Sequence, residues 1–414
     1  MSENWADLSE KLQRLGLKFG LEKKPEPQNP QKMPVQQIIN GRFLQTPFGE
    51  VFSADHYYAH NYIQGNAKIR PSLPIERLAK WAGLQRFEPE HYDDFIFLDT
   101  ETTGLSGGTG TMAFMVGAAR FGTSGLQLEQ FFLQNPAEEF AMLDALAHFC
   151  EGMKAVVSYN GKAFDVPILN ARFILNGMES PFEGLPHFDL LPITRRVWKA
   201  RLAQCNLGNI EHHILGLERE RDEVPGYLVP EIYMDYLRSG DASPLQGIFK
   251  HNENDVVSLA ALFSTLNDLL ENPLEQSQAY ASDKVSIGRL MGSLGNEALA
   301  VQLYETGNSL GGDRYAELTA LLQLAAIRKK HQDWEQAIPL WQKAADFGSV
   351  SAMLELAKHY EHKTRDYSAA LSLTESALSF CKAHSDQEFS GGILNDLQKR
   401  QKRLKQKIQQ KPNA

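Results

Sequence analysis

Four carboxylates and one histidine, spread over three short stretches, hold the chemistry this chain can perform. In FIFLDTETTGL, residues 95–105, a single threonine separates Asp99 from Glu101. On an extended strand alternate residues face the same side, so both acids share a face. Two carboxylates this close repel each other unless a cation lies between them. A hard divalent ion with oxygen ligands is the natural partner. Taken alone, the pair is an ordinary strand-end feature. In VVSYNGKAFDVPILNARF, residues 156–173, Asp165 stands where a strand and turn give way to a helix. By itself it is equally a helix-start acid favoured by the macrodipole. In KHNENDVVSLAALF, residues 250–263, His251 and Asp255 are four apart and share one helical face. Such a pair is often a surface contact. Here Val256, Leu259 and Phe263 define an apolar face beside it, which puts the pair at the rim of a core.

Those residues need a scaffold, and hydrophobic patterning supplies one. DFIFLDTE (94–101) is an apolar run ending in acids, as expected of a buried strand with its functional end exposed. MAFMVGAARF (112–121) and LQLEQFFLQN (126–135) follow as two more strands. Residues 138–150 have helical spacing, AVVSYN (155–160) is another buried strand, and 164–177 is a helix with Pro167 in its first turn. HFDLLPITRRVWKAR (187–201) begins as a strand and turns helical, and 206–214 and 247–270 are helices. The order βββαβα followed by helices predicts an α/β domain over 91–272. Ahead of it, residues 1–90 read as a leader: an amphipathic helix in the first twenty residues, a proline-rich linker at 24–36, a hairpin over 41–58 and a short helix at 76–84.

After about residue 285 no strand pattern remains. LLQLAAIRKKHQDWEQAIPLWQKAADFG is echoed by ELAKHYEHKTRDYSAALSLTESALSF: Asp333-Trp334 recurs as Asp366-Tyr367, Ala337 as Ala370 and Ala344 as Ala377, each 33 residues on. GSLGNEALAVQLYETGN (292–308) is a degenerate earlier copy. The period is close to the roughly 34 residues of tetratricopeptide repeats. This predicts an all-α, tetratricopeptide-like helical repeat domain over 285–385, whose concave surface suits a protein or peptide partner. Residues 386–414 form a basic tail with no core-forming pattern.

Together, LDTETTGL, YNGKAFDVPIL and HNENDVVSL resemble the three motifs of the DEDD superfamily of 3′–5′ exonucleases, which have a ribonuclease-H-like fold. With its repeat-like tail the chain is similar to the YprB-type group of ribonuclease-H-like proteins. The resemblance covers residues 92–270, with a weaker match through the tail. It implies that Asp99, Glu101, Asp165 and Asp255 bind two divalent ions, Mg²⁺ or Mn²⁺, and that His251 is the general base. It implies a metal-dependent nuclease acting on single-stranded DNA or RNA ends. Thr102, Asn160 and Phe164 are the expected substrate-binding residues. His251 stands four before Asp255, a spacing the resemblance assigns to a tyrosine. Two other readings use the same residues: a catalytically silent nucleic-acid-binding or scaffold protein, and a structure-specific endonuclease or ribonuclease H.

Other candidates have plainer explanations. Asp189 reads as a strand cap or an accessory acid, and Phe182 as a core residue or a base-stacking one. Arg195, Arg196, Lys199 and Arg201 are a solvated helix face or a phosphate grip. SGGTGT (106–111) lacks the Gly-Lys-Ser/Thr of a phosphate-binding loop and reads as a turn. Glu211-His212-His213 does not complete a zinc motif.

Composition bounds the rest. The 414 residues include 51 acids and 42 Lys plus Arg, a net charge of −9, which argues against coating nucleic acid by bulk electrostatics. Apolar runs fall far short of the ~20 residues of a membrane span. The polar N-terminus has no signal-peptide pattern, and three scattered cysteines suit a reducing cytoplasm.

Overall fold

A computed structural model describes residues 33–72, 74–84, 87, 91–104, 110–219, 224–275, 280–384 and 391–410. The expected N-terminal helix, and the linker up to residue 32, lie outside the described residues, as does most of the 106–111 turn.

Seven strands form one mixed sheet: β1 (Arg42–Thr46), β2 (Gly49–Ala59), β5 (Phe95–Thr102), β6 (Ala113–Phe121), β7 (Gly125–Phe132), β8 (Ala155–Ser158) and β9 (His187–Asp189). Their order across the sheet is β1-β2-β7-β6-β5-β8-β9. The first five run as antiparallel neighbours, while β8 is parallel to β5, and β9 to β8. A separate ribbon pairs β3 (Ile63–Gln64) with β4 (Ala67–Lys68). The hairpin expected over 41–58 is β1–β2, and β2 pairs with β7 from Phe52 to Ala59. The 91–272 boundary therefore does not coincide with an edge of the sheet. Residues 42–59 add two strands to it because β7 otherwise has an unpaired edge.

Helices cover both faces: α1 (Glu76–Trp81), α2 (Glu139–Phe149), α3 (Asp165–Leu175), α4 (Leu190–Trp198), α5 (Val229–Ser239) and the long α6 (Gln246–Glu271). The period of two in β5 divides its side chains between two cores. Phe95 and Phe97 join one, with Val256, Leu259 and Phe263 of α6. Ile96 and Leu98 join the other, with residues of α2, α3 and α5. The Phe263 ring meets Phe95 at 5.1 Å and Phe97 at 5.9 Å between centroids. Asp99 and Glu101 continue the odd-numbered face of β5. They therefore emerge beside α6 just beyond the aromatic contacts.

Toward the C-terminus follow α7 (Ala281–Ser293), α8 (Glu297–Leu310), α9 (Arg314–Lys330), α10 (Trp334–Asp346), α11 (Val350–His359), α12 (Tyr367–Ala383) and α13 (Gly391–Gln410). Successive helices pack against each other, and one device recurs at five of their turns. A residue with positive φ precedes a capping side chain at Gly295-Asn296, Gly312-Asp313, Gln332-Asp333, Gly348-Ser349 and Arg365-Asp366. The left-handed residue reverses the chain and the cap accepts a first-turn N–H of the next helix. The repeated alanines Ala337, Ala344, Ala370 and Ala377 are fully buried, where small side chains let helices approach closely. The tail departs from a frayed end. Residues 391–410 form α13, which buries Leu397 and Leu404 and surrounds the Glu361 carboxylate with Arg400, Arg403 and Lys407. Two leucines seven residues apart share one helical face, a pattern diluted in the sequence by the charges around it.

The helical region is not a separate body. Residues of α7, α8 and α9 share a core with α4 and α6. Arg201 holds Asp283 at 2.9–3.1 Å and lies over the Tyr280 ring at 4.1 Å.

Candidate active site

Three elements deliver the acids. β5 carries Asp99 and Glu101, the start of α3 carries Asp165, and α6 carries Asp255. The register of β5 against β6 shifts between Glu101 and Thr102, ending regular pairing where the acids emerge. The turn from β8 into α3 bends at Asn160, a non-glycine residue with φ 67°. Asp189 holds that bend: it accepts from the Asn160 N–H at 2.8 Å and caps α4 through the Leu191 N–H at 3.1 Å. Asp189 is thus a structural cap, the plainer of its two expected roles. Gly161 sits where a side chain has no space, since a Cβ there would lie 2.5 Å from Ser158 Oγ and 2.8 Å from Asp165 Oδ2.

Three of the four carboxylates have a hydrogen-bonding protein partner. Thr100 Oγ1 donates to Asp165 Oδ1 at 2.5 Å. Asn252 Nδ2 donates to Asp99 Oδ2 at 2.9 Å. Its Oδ1 accepts from Gln130 Nε2 at 2.9 Å, and Gln130 also donates to the Phe249 carbonyl at 2.7 Å. Arg219 Nη2 donates to Asp255 Oδ1 at 2.5 Å. Arg219 Nε donates to Glu211, whose carboxylate is fully buried. His251 Nε2 lies 3.5 Å from Asp255 Oδ2, and its Nδ1 is 3.0 Å from Arg219 Nη1.

The electrostatics record how crowded this site is. Burial, and then the charges of Asp255, Asp165 and Glu101, push the Asp99 carboxyl well above the usual carboxylate range, while Asn252 opposes them. Glu101 is pushed up to about 8 by burial, Asp255 and Asp165, with Arg219 pulling the other way. Asp165 rises to about 6 through burial, restrained by the Thr100 hydroxyl and backbone N–H groups. Buried, mutually repelling carboxylates of this kind mark functional sites more often than structural ones. The donor set is all oxygen, which suits a hard divalent ion. Among the described residues no three His, Cys, Asp or Glu side chains already stand together as a set of metal ligands. Thr100, Asn252 and Arg219 each hold a carboxylate oxygen that such an ion would need.

The expected substrate contacts differ in character. Asn160 is exposed on the turn. Phe164 is half-buried against the α2–α3 core, and Phe182 is buried beside Phe173. Thr102 is buried, and its hydroxyl donates to the Gly104 carbonyl at 2.8 Å. Arg195 and Arg196 are exposed on α4, and Lys199 is exposed just past its end. Arg201 of the same run is committed to Asp283.

No motif or period in the sequence marks Arg219, Asn252 or Gln130, and Glu211 stands there only in an incomplete zinc motif. Asn252 was the most accessible of these, one residue past His251 and three before Asp255 on the site face of α6. Arg219 and Glu211 lie 36 and 44 residues upstream of Asp255, with no spacing that connects them.

Residues 96–267 match the family model of the ribonuclease H superfamily. The chain is also 33% identical over 307 residues to the Bacillus subtilis (strain 168) protein named "Uncharacterized protein YprB", a match covering 72% of each chain.

Proposed function

The chain belongs to the ribonuclease H superfamily, and from that premise we propose that it is a metal-dependent 3′–5′ exonuclease acting on single-stranded DNA or RNA ends. One observation carries the reading: in a single site fed by three elements, Asp255, Asp165 and Glu101 raise the proton affinity of Asp99, and Asp255 and Asp165 raise that of Glu101. A cluster of that charge calls for cations. Two Mg²⁺ or Mn²⁺ ions held by these acids would supply an activated water and stabilise charge on the leaving oxygen.

The chain's own groups do the rest. His251 is the candidate base, within reach of Asp255. It takes the water's proton at Nδ1, because an arginine can only donate and the contact with Arg219 leaves the ring proton on Nε2. Asn252 orients Asp99, and Thr100 orients Asp165. Asn160 and Phe164, on the turn before α3, are the candidate contacts for the terminal nucleotide. Thr102 contributes through the turn it closes with Gly104. The helical repeats serve a protein or peptide partner. The cytoplasm is the compartment proposed, on the strength of three buried, unpaired cysteines. No helix among the described residues is long and apolar enough to cross a membrane.

The test is digestion of end-labelled single-stranded DNA and RNA, with Mg²⁺ or Mn²⁺, by wild type and Asp165→Ala. Stepwise shortening from the 3′ end, lost in the variant, is expected. Internal fragments would instead indicate an endonuclease or ribonuclease H. Strands left intact by wild type would favour the silent scaffold.

A further inference from the structure

We propose that Arg219 is a phosphate-responsive latch, a positioning residue that occupies His251 and Asp255 until a strand's phosphate draws it away. The inference rests on the nuclease reading and adds to it a control on when the base is available.

A guanidinium has donors and no acceptor, so at 3.0 Å Arg219 Nη1 donates and His251 Nδ1 accepts. The lone pair that would take a proton from water is therefore engaged. Through Nη2 the same guanidinium holds Asp255 Oδ1. One side chain thus occupies the base and a carboxylate oxygen together. It is anchored from behind, because Nε donates to the fully buried Glu211. That anchor restrains the stem and Nε while the two Nη groups can change partners. Arginine is suited to such an exchange, since its paired N–H groups match two phosphate oxygens at once. The side chain is about one-fifth exposed and lines a cavity of about 840 Å³ beside Lys250 and Asn254. That cavity, which Glu218 and Glu253 also line, with Lys250 paired to Glu253, gives a phosphate a route to Arg219.

The arrangement has a functional consequence. Without a strand, the base is blocked and Asp255 is neutralised by an internal cation. With a strand bound, the Nη groups pass to phosphate and release His251 Nδ1 and Asp255 Oδ1 from Arg219 together.

The experiment uses the full-length, metal-free protein with ¹⁵N-labelled histidine in EDTA. The probe is an oligothymidylate with phosphorothioate linkages, and its binding is followed separately by fluorescence anisotropy. The His251 signals are identified by their loss in His251→Gln. Before the probe is added, Nδ1 should be unprotonated and hydrogen-bonded, with the proton on Nε2. The probe should move the Nδ1 resonance toward that of an unbonded nitrogen. In Arg219→Met the resonance should start there and not respond, and probe affinity should fall roughly tenfold, as for a lost charged hydrogen bond. The wild-type measurement stands whether or not that variant folds. A protonated Nδ1 in free wild type, or bound probe with Nδ1 unmoved, overturns the latch and leaves the nuclease reading intact. Failure of any strand to bind overturns both.

Discussion

Asn252 Nδ2 donates to Asp99 Oδ2 at 2.9 Å, joining the long helix α6 to the acid-bearing strand β5. The bond is itself held in place, because Gln130 donates to Asn252 Oδ1 at 2.9 Å. The chain Gln130–Asn252–Asp99 aims one carboxylate oxygen. Groups that orient metal ligands in this way typically change metal affinity roughly 10–100-fold when removed. Asn252→Ala should therefore weaken Mn²⁺ binding by about tenfold or more in calorimetric titration, with little change in circular dichroism. An unaltered affinity would show that the bond is only structural.

Gly117 of β6 faces that asparagine. A Cβ at this position would lie 2.2 Å from Asn252 Oδ1 and 2.9 Å from Val256 Cγ2. Gly117→Ala must push α6 away from the sheet. The expected cost is ~1–3 kcal/mol, as for other overpacked cores, read as a lowered midpoint in urea. Metal affinity should fall with it, because Asn252 moves. A variant with wild-type midpoint and wild-type affinity would contradict this geometry.

Asp99 is destabilising in the metal-free protein, since burial and three neighbouring carboxylates oppose its charge. Asp99→Asn removes that charge and keeps a similar shape. In EDTA at pH 8 the variant should melt above wild type, while the Mn²⁺-induced rise in melting temperature should vanish. Wild type and variant should cross over as Mn²⁺ is added. A variant less stable than wild type in EDTA would mean that Asp99 is held mainly by its hydrogen bonds.

Glu101 predicts a pH dependence with a definite sign. Its carboxyl moves from an ordinary 4.5 to about 8 in the folded chain. Between those values the folded state binds more protons than the unfolded one, so stability falls as pH rises. The full contribution is present below 4.5 and is lost once pH passes about 8. Taking ~2 kcal/mol for this group, the metal-free melting temperature should drop by roughly 4–8 °C more in wild type than in Glu101→Gln between pH 5 and 9. Saturating Mn²⁺ should flatten the wild-type curve. Parallel curves for wild type and variant would count against the assignment.

Arg201 and Asp283 test how the helical region is attached. Their bidentate pair is largely shielded from solvent, with side chains 19% and 14% exposed. Removing one partner leaves the other charge poorly solvated, at a cost of roughly 1–3 kcal/mol. Arg201→Ala should increase protease cleavage near residues 272–280, between α6 and α7, before the rest of the chain is cut. Cleavage rates equal to wild type would indicate that the shared apolar core alone holds the two regions together.

Regular periods account for what can be read directly from the residues. Alternation in β5 put Asp99 and Glu101 on one face. The i, i+4 spacing put His251 beside Asp255, and the apolar stripe of Val256, Leu259 and Phe263 turned that helix toward the sheet. The 33-residue echo was legible because each copy repeats a cap and its buried alanines. The partners of these groups were set by the folding of distant segments together. Arg219, Glu211, Asn252 and Gln130 each contribute a single polar group, and a single group has no period to detect. The pairing of β2 with β7 was likewise invisible, because an edge strand and a free hairpin share the same alternation. Direction was also decided there: only once Arg219 stands beside His251 Nδ1 does the ring's proton have a fixed place, since one partner can donate and never accept.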